Sequence, residues 1–424
     1  MIRINTREYA LGLDKEDPLK GFRERFYIPM QKTGDDYIYF CGNSLGLQSK
    51  QLKTYVDQEL EDWKQFGVEG HFHARNPWMP YHEFLTEKMA RVVGARDIEV
   101  VVMNGLTVNL NLMMVSFYRP TKTRYKIMIE ADAFPSDKYA VKAQLAYHGF
   151  DPEEALITLK PKGDSAIVER EDVLAAIEEH GEDIALIMIG GVNYYSGQVF
   201  DMKTITKAGH DKGCVVGFDL AHAVGNVKLD LHDWDVDFAV WCNYKYMNAG
   251  PGAVAGCFVH EKHSENFSIP RFSGWWGHEK DSRFKMPDDF IPIPGAEGWQ
   301  MSNAPILSMA ALRSSLDIFD EVGMVALVSK SKKLSTYFVD LINEIGDERV
   351  SIISPADIEQ RGCQISIRVK EIGRKVFAEL EENGVILDWR EPDVIRLAAV
   401  PLYNSFLDVF KFADIFKKII QSHT

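Results

Sequence analysis

Between residues 99 and 259, short apolar runs recur at intervals that leave room for a helix between them. "EVVVMN", "RYKIMIEA", "IALIMIGGV", "CVVGFD" and "FAVWCNYKYM" are rich in β-branched and aromatic residues and short for buried helices. "IALIMIGGV" is apolar at consecutive positions rather than alternate ones. A strand of that kind must be covered on both faces, as in a parallel sheet between two helical layers. The intervening stretches fit that arrangement. "KQLKTYVDQELEDWKQFG", "GLTVNLNLMMVSFY", "DKYAVKAQLAYHG" and "FDMKTITKAGHDKG" read as helices, and "AVAGCFVHE" adds one more strand. The alternation predicts an α/β fold with a mainly parallel sheet. Such sheets bind ligands at the carboxyl ends of their strands, so the residues there are the ones to inspect.

The texture changes after about residue 303. "PILSMAALRSSLDIFDEVG" and "VALVSKSKKLSTYFVDLINEIG" are long amphipathic helices, followed by a smaller alternation of strands and helices. We therefore expect an N-terminal arm over residues 1–50 that joins the small domain. A large ligand-binding domain over 51–303 and a small α+β domain over 304–424 follow. The net charge of −14 argues against nucleic acid as a main partner. The five cysteines are odd in number and show no C-x-x-C spacing, so neither a metal site nor a disulfide framework is expected. The N-terminus has no apolar core of a leader, and no apolar run reaches the ~18–20 residues of a membrane span. These features predict a cytoplasmic protein.

Two opposite charges stand out at strand ends. "CVVGFD" places Asp219 at the end of one apolar run, and "DFAVWCNYK" places Lys245 at the end of another. They read either as a structural ion pair or as chemistry in a shared crevice. Lysine loses its proton readily when desolvated, which suits covalent chemistry with a carbonyl. Pyridoxal phosphate (PLP) needs such a lysine, a carboxylate for its ring nitrogen, and a phosphate site. "EVVVMN-GLT-VNLN" offers the last: strand, Gly105 turn, helix start, with Thr107 in the first turn. Thr107 is also a plausible ordinary N-cap. Tyr244 is a candidate phosphate ligand or a core tyrosine. Phe134, before Pro135, could stack on a planar ring or simply pack, and helix capping is the default role of Asp137.

Taken together, "FCGNSLGL", "NGLTVNLN", "AFPSDKYA", "GFDLAHAVGNVKLDLHDWDVDFAVWCNYKYMNAGPG", "GWWGHE", "RFKM" and "SNAPIL" resemble the kynureninase family. The resemblance runs from about residue 38 to "VPLYNS" near residue 405. It implies PLP fold type I, with a mainly parallel seven-stranded sheet between helices and a smaller C-terminal α+β domain. It also implies hydrolytic Cβ–Cγ cleavage of L-kynurenine or 3-hydroxy-L-kynurenine, to anthranilate or 3-hydroxyanthranilate plus L-alanine, by a homodimer with shared active sites.

By resemblance, Lys245 binds the PLP aldehyde, Asp219 pairs with the ring nitrogen, and Tyr244 contacts the phosphate. His222 lies beside the cofactor. Leu106 and Thr107 hold the phosphate region, while Phe134, Pro135, Ser136 and Asp137 line the ring. Trp275 and Asn303 reach cofactor or substrate, partly across the subunit interface. Arg396 clamps the substrate α-carboxylate, a task that suits a bidentate guanidinium. His71 and Asn303 are candidates for contact with the substrate's aryl ring. One departure is visible: Gly190 and Gly191 stand where the family often has Ser or Thr, so one hydroxyl contact is absent and water or backbone is expected to replace it.

Two other classes compete with this reading. A class V aminotransferase or cysteine desulfurase shares the lysine followed by "GPG". Those relatives usually carry His where Tyr244 stands, and a desulfurase needs a mobile cysteine beyond the lysine. Only Cys257 and Cys363 follow, both in expected strands. A non-catalytic PLP-fold binding protein would be expected to lose Lys245, Asp219 or Arg396, and all three are present.

Overall fold

The computed structural model describes residues 4–423. Seven strands form the central sheet: β1 (Val100–Val102), β2 (Lys126–Glu130), β3 (Leu156–Leu159), β4 (Ile184–Gly190), β5 (Val215–Asp219), β6 (Phe238–Trp241) and β7 (Gly256–Val259). Their spatial order is β1-β7-β6-β5-β4-β2-β3, and β7 alone is antiparallel to its neighbours. β3 escapes the periodicity argument because it is a short, partly exposed strand at the sheet edge.

The apolar runs divide their side chains between two cores. Ile127, Ile129, Leu186, Met188, Phe238 and Val240 face the helices Leu106–Phe117 and Pro135–Tyr147. Met128, Ile187, Ile189, Val216, Phe218 and Trp241 face the other layer, with Glu83–Val93, Met202–Asp211 and Ile306–Val322. Each strand is thus apolar at every position because each alternate residue meets a different core.

One expectation is corrected. "FAVWCNYKYM" reads as one strand, with Lys245 at the end of "DFAVWCNYK", but β6 stops at Trp241. The chain must reverse to return as β7, which pairs Gly256 with Trp241. The reversal is closed by Asn243, whose side chain donates to the Val254 carbonyl at 2.7 Å. Asn248, Gly250 and Gly252 take positive φ within it. Lys245 therefore sits in a buttressed turn beyond the strand.

A second, antiparallel sheet belongs to the smaller unit: β8 (Val350–Ile352), β9 (Gln364–Val369), β10 (Asp388–Arg390) and β11 (Val394–Ala398), in the order β10-β11-β9-β8. The helices Met324–Asn343, Gly373–Glu382 and Phe406–Ser422 share its core with Arg7–Glu16 of the arm. The arm also pairs Ile38–Tyr39 in parallel with Val385–Ile386. The helix Ile306–Val322 packs on Leu52–Phe66 and Glu83–Val93 of the larger unit. Among the described residues no helix is long and apolar enough to cross a membrane.

Gly217 shows how tightly the strand under Asp219 is packed. A Cβ there would come within 2.2 Å of the Phe238 ring, which is itself stacked on Phe117 at 5.1 Å. Gly217→Ala is expected to destabilise the protein by about 1–3 kcal/mol through overpacking, read as a lower midpoint in urea.

Candidate active site

The carboxyl ends of β2, β4 and β5 open on one small cavity. Asp219 closes β5 and is 7% exposed; its Oδ1 accepts the Ala221 N–H at 2.7 Å. Lys245 enters from the turn after β6. Its Nζ lies 3.0 Å from His222 Nε2 and 6.0 Å from the centre of the Phe134 ring. Tyr244, Phe134, Ser136, Asp137, Leu106 and Thr107 also line the cavity. Most of the residues singled out in the sequence are thus brought together.

Burial dominates the electrostatics. It raises the Asp219 pKa, against the Ala221 N–H and the Lys245 charge, which lower it. It raises Asp137 well above the carboxylate range, and the Asp219 and Glu130 charges add to the effect. The two carboxyls act on one another: Asp219 raises the pKa of Asp137, and Asp137 lowers that of Asp219. His222 is pushed well below its ordinary value by burial and by the Lys245, Arg396 and Arg390 charges, so its imidazole is neutral. Tyr244 is raised by burial and remains a phenol.

The part of the lining around Thr107 and Ser136 offers donors to an anion. The helix Leu106–Phe117 starts at Gly105, and no side chain caps it. Thr107 is inside the first turn rather than at the cap, so the ordinary N-cap reading fails. Its hydroxyl meets Ser136 Oγ at 2.8 Å. The first-turn N–H groups and these hydroxyls are the donors a phosphate takes at a helix N-terminus. Asp137 does not cap its helix either: Phe134 holds that position, and Asp137 Oδ1 is buried without a partner. Pro135 is the first residue of that helix and aims its neighbours Phe134 and Ser136 at the cavity.

Other residues stand apart from the cavity. Arg396 is buried beside it on β11, its guanidinium 5.6 Å from the ring centre of Tyr194, a cavity residue. Trp275 is 40% exposed and donates to the Arg283 carbonyl at 3.2 Å. Asn303 is exposed. His71 lies on the short helix Gly70–His73, edge-on to Trp78 at 5.4 Å. None of these four lines the cavity.

Glu130 is the residue that sequence reasoning missed. It ends β2 as Asp219 ends β5, and the same strand-end rule could have found it. Both of its carboxylate oxygens accept the Gly190 N–H at 3.2 Å. A Cβ on Gly190 would meet Glu130 Oε1 at 2.8 Å. The departure at Gly190 therefore makes room for a carboxyl group, and the backbone N–H at this position is engaged by that carboxyl.

The chain is 54% identical to a kynureninase of Koribacter versatilis over 411 residues, which is 97% of each protein. It is 52% identical to that of Myxococcus xanthus over 99% of this chain and 97% of that protein. The chain belongs to the kynureninase family. A kynureninase of Nematostella vectensis is 49% identical over 99% of this chain and 95% of its own. The kynureninase C-terminal domain family matches residues 327–416, and that of O-phosphoseryl-tRNA(Sec) selenium transferase matches 82–226.

Among solved structures, a cysteine desulfurase from Escherichia coli superposes with a TM-score of 0.76 at 15% identity, over 95% of this chain and 98% of its own. A C-DES variant with glycine covalently linked to its PLP cofactor gives 0.74 at 15% identity, over 90% and 96%. These likenesses show the fold: PLP fold type I. As a member of the kynureninase family, the chain is a PLP-dependent hydrolase of carbon–carbon bonds. Its site fits that cofactor. The uncapped helix start, the buried Asp219 carboxyl, the reachable Lys245 amine and the unpartnered His222 Nδ1 are the donors and acceptors that PLP requires.

Burial holds the Glu130 pKa at about 7, from an ordinary 4.5, with the Gly190 N–H opposing and the Asp219 charge reinforcing. The folded protein keeps this proton to higher pH than the unfolded chain does. The stability it contributes is complete below about pH 4.5 and is lost as pH rises through about 7. In urea titrations of the apoprotein, Glu130→Gln should therefore gain on the parent between about pH 5 and 8, by on the order of 2–3 kcal/mol. A pH-independent difference would contradict this.

Proposed function

We propose that the chain hydrolyses L-kynurenine, 3-hydroxy-L-kynurenine or both, releasing L-alanine and the corresponding anthranilate. The observation that carries the reading is the meeting of Asp219, Lys245 and an uncapped helix start in one cavity. Bound PLP supplies an electron sink for the bonds made and broken at the substrate's α- and β-carbons.

The chain's own groups do the rest. Lys245 Nζ holds the cofactor aldehyde and, once released, takes the proton from the substrate Cα. Asp219 keeps a proton on the cofactor ring nitrogen, because a buried carboxylate favours a cation beside it. The N–H groups after Gly105, with Thr107, Ser136 and Tyr244, hold the phosphate. Leu106, Phe134, Pro135, Asp137 and His222 shape the ring site. Tyr244, kept as a phenol by burial, donates the proton that the β-carbon needs after cleavage. Arg396 takes the substrate α-carboxylate.

We further infer a cytoplasmic homodimer. All five cysteines are free, which suits a reducing compartment. Trp275, Phe284 and Met286 form an exposed apolar group on a loop outside the cavity. A second copy of this chain would cover that group and bring Trp275 and Asn303 toward the partner's cavity, while His71 and Asn303 would meet the aryl ring. A thiol mechanism of the desulfurase kind has little support: Cys257 and Cys363 are fully buried, and burial raises both thiols far above their ordinary value.

Incubation of the PLP-loaded enzyme with L-kynurenine and with its 3-hydroxy derivative should release L-alanine from at least one. Lys245→Ala should abolish both the release and the visible absorbance of the lysine-bound cofactor. Alanine release from neither substrate would refute the reading.

A further inference from the structure

Arg396 does not stand alone. Asp388 on β10 is in direct register with Arg396 on β11. Arg390 lies two residues further along β10, so the pleat turns it to the same face as Asp388. One carboxylate oxygen joins them. Asp388 Oδ2 accepts from Arg390 Nη2 at 3.0 Å, from Ser44 Oγ at 2.6 Å, and from Arg396 Nη2. Arg396 Nη1 donates to the Tyr194 carbonyl at 2.6 Å, which ties the group to the cavity wall.

The cluster is one anion short. Two guanidinium groups share a single carboxylate, and the side chains of Arg396 and Asp388 are only 1% and 11% exposed. Arg390 is more open, at 36%. The buried Arg396 has Asp388 as its counterion, so the surplus charge sits at the partly open Arg390, where an anionic ligand would offset it. The Nε atoms of Arg396 and Arg390 are both buried without an acceptor. One positive charge and two N–H groups without acceptors thus remain, that of Arg396 near the Tyr194 ring. Both arginines also lower the pKa of His222, a cavity residue, so their charge reaches the site.

We propose that Arg390 joins Arg396 in binding the substrate α-carboxylate, and that Asp388 is the positioning residue that holds the two guanidinium groups where one carboxylate can bridge them. The proposal rests on the reading that Arg396 takes that carboxylate. Asp388 uses one Nη of each arginine and leaves both Nε atoms for the ligand. Ser44, from the N-terminal arm, holds Asp388 in turn.

The test uses the PLP-loaded enzyme and two small ligands, L-alanine and L-alaninamide, which differ only in the carboxylate. Binding is followed by the change in the cofactor's visible absorbance. Arg390→Met should weaken L-alanine roughly 10- to 100-fold, the value of a charge-assisted hydrogen bond, and leave L-alaninamide nearly unchanged. Asp388→Ala should weaken L-alanine in the same selective way, and Asp388→Asn, which keeps an acceptor oxygen, should recover part of the loss. Removing a countercharge alone would tighten anion binding. Tighter L-alanine binding in Asp388→Ala would therefore overturn the positioning role. An equal loss for both ligands in Arg390→Met, or no loss, would overturn the role of Arg390. If Arg396→Lys leaves L-alanine binding intact, the underlying reading of Arg396 fails. If Arg396→Lys alone weakens it, only the present proposal fails.

Discussion

Three carboxyl groups, those of Asp219, Asp137 and Glu130, are buried together at one edge of the sheet with the Lys245 amine close by. Such a group is tolerated only if protons or cations offset the desolvation. The structure supplies both. Asp137 and Glu130 are raised in pKa, and the lysine charge lowers those of Asp219 and Asp137. Close packing positions these groups. Asp219 ends a strand whose neighbour Phe238 leaves room only for Gly217. Lys245 lies in a turn closed by Asn243 and by Gly residues with positive φ.

The N-terminal arm shows how the lysine turn is joined to the small unit. Gly46 N–H donates to the Tyr244 carbonyl at 2.8 Å. A Cβ on Gly46 would lie 2.2 Å from the Lys245 carbonyl oxygen, so only glycine permits the approach. Two residues earlier, Ser44 reaches Asp388, and Asn43 donates to Gln364 on β9 at 3.2 Å. "FCGNSLGL" is thus a strap that holds the lysine turn against the unit bearing Arg396.

The central sheet was legible because doubly covered strands leave a continuous apolar signal, and Asp219 because it interrupts one at its end. The same signal misled at Lys245. Cys242, Tyr246 and Met247 are as buried as strand residues, yet they lie in a loop, and burial alone does not distinguish the two. Glu130 was hidden because a polar residue at the end of an apolar run also reads as the first solvated one. Asp388 and Arg390 could not be found from spacing, since their meaning comes from register with Arg396 across a sheet. For Asp137 and Thr107 the residues alone also allowed a local cap, while the resemblance put both at the cofactor; neither residue caps its helix. His71, Trp275 and Asn303 came only from family resemblance, and nothing in the single chain brings them to the cavity.

We propose that one amine, that of Lys245 in the turn after β6, carries the cofactor. Borohydride reduction of the PLP-loaded enzyme fixes the cofactor to whichever lysine holds it, and proteolysis with mass mapping finds that lysine. One modified peptide is expected, containing Trp241 to Met247, with the added mass on Lys245. Modification at any other lysine, or at none, would contradict it.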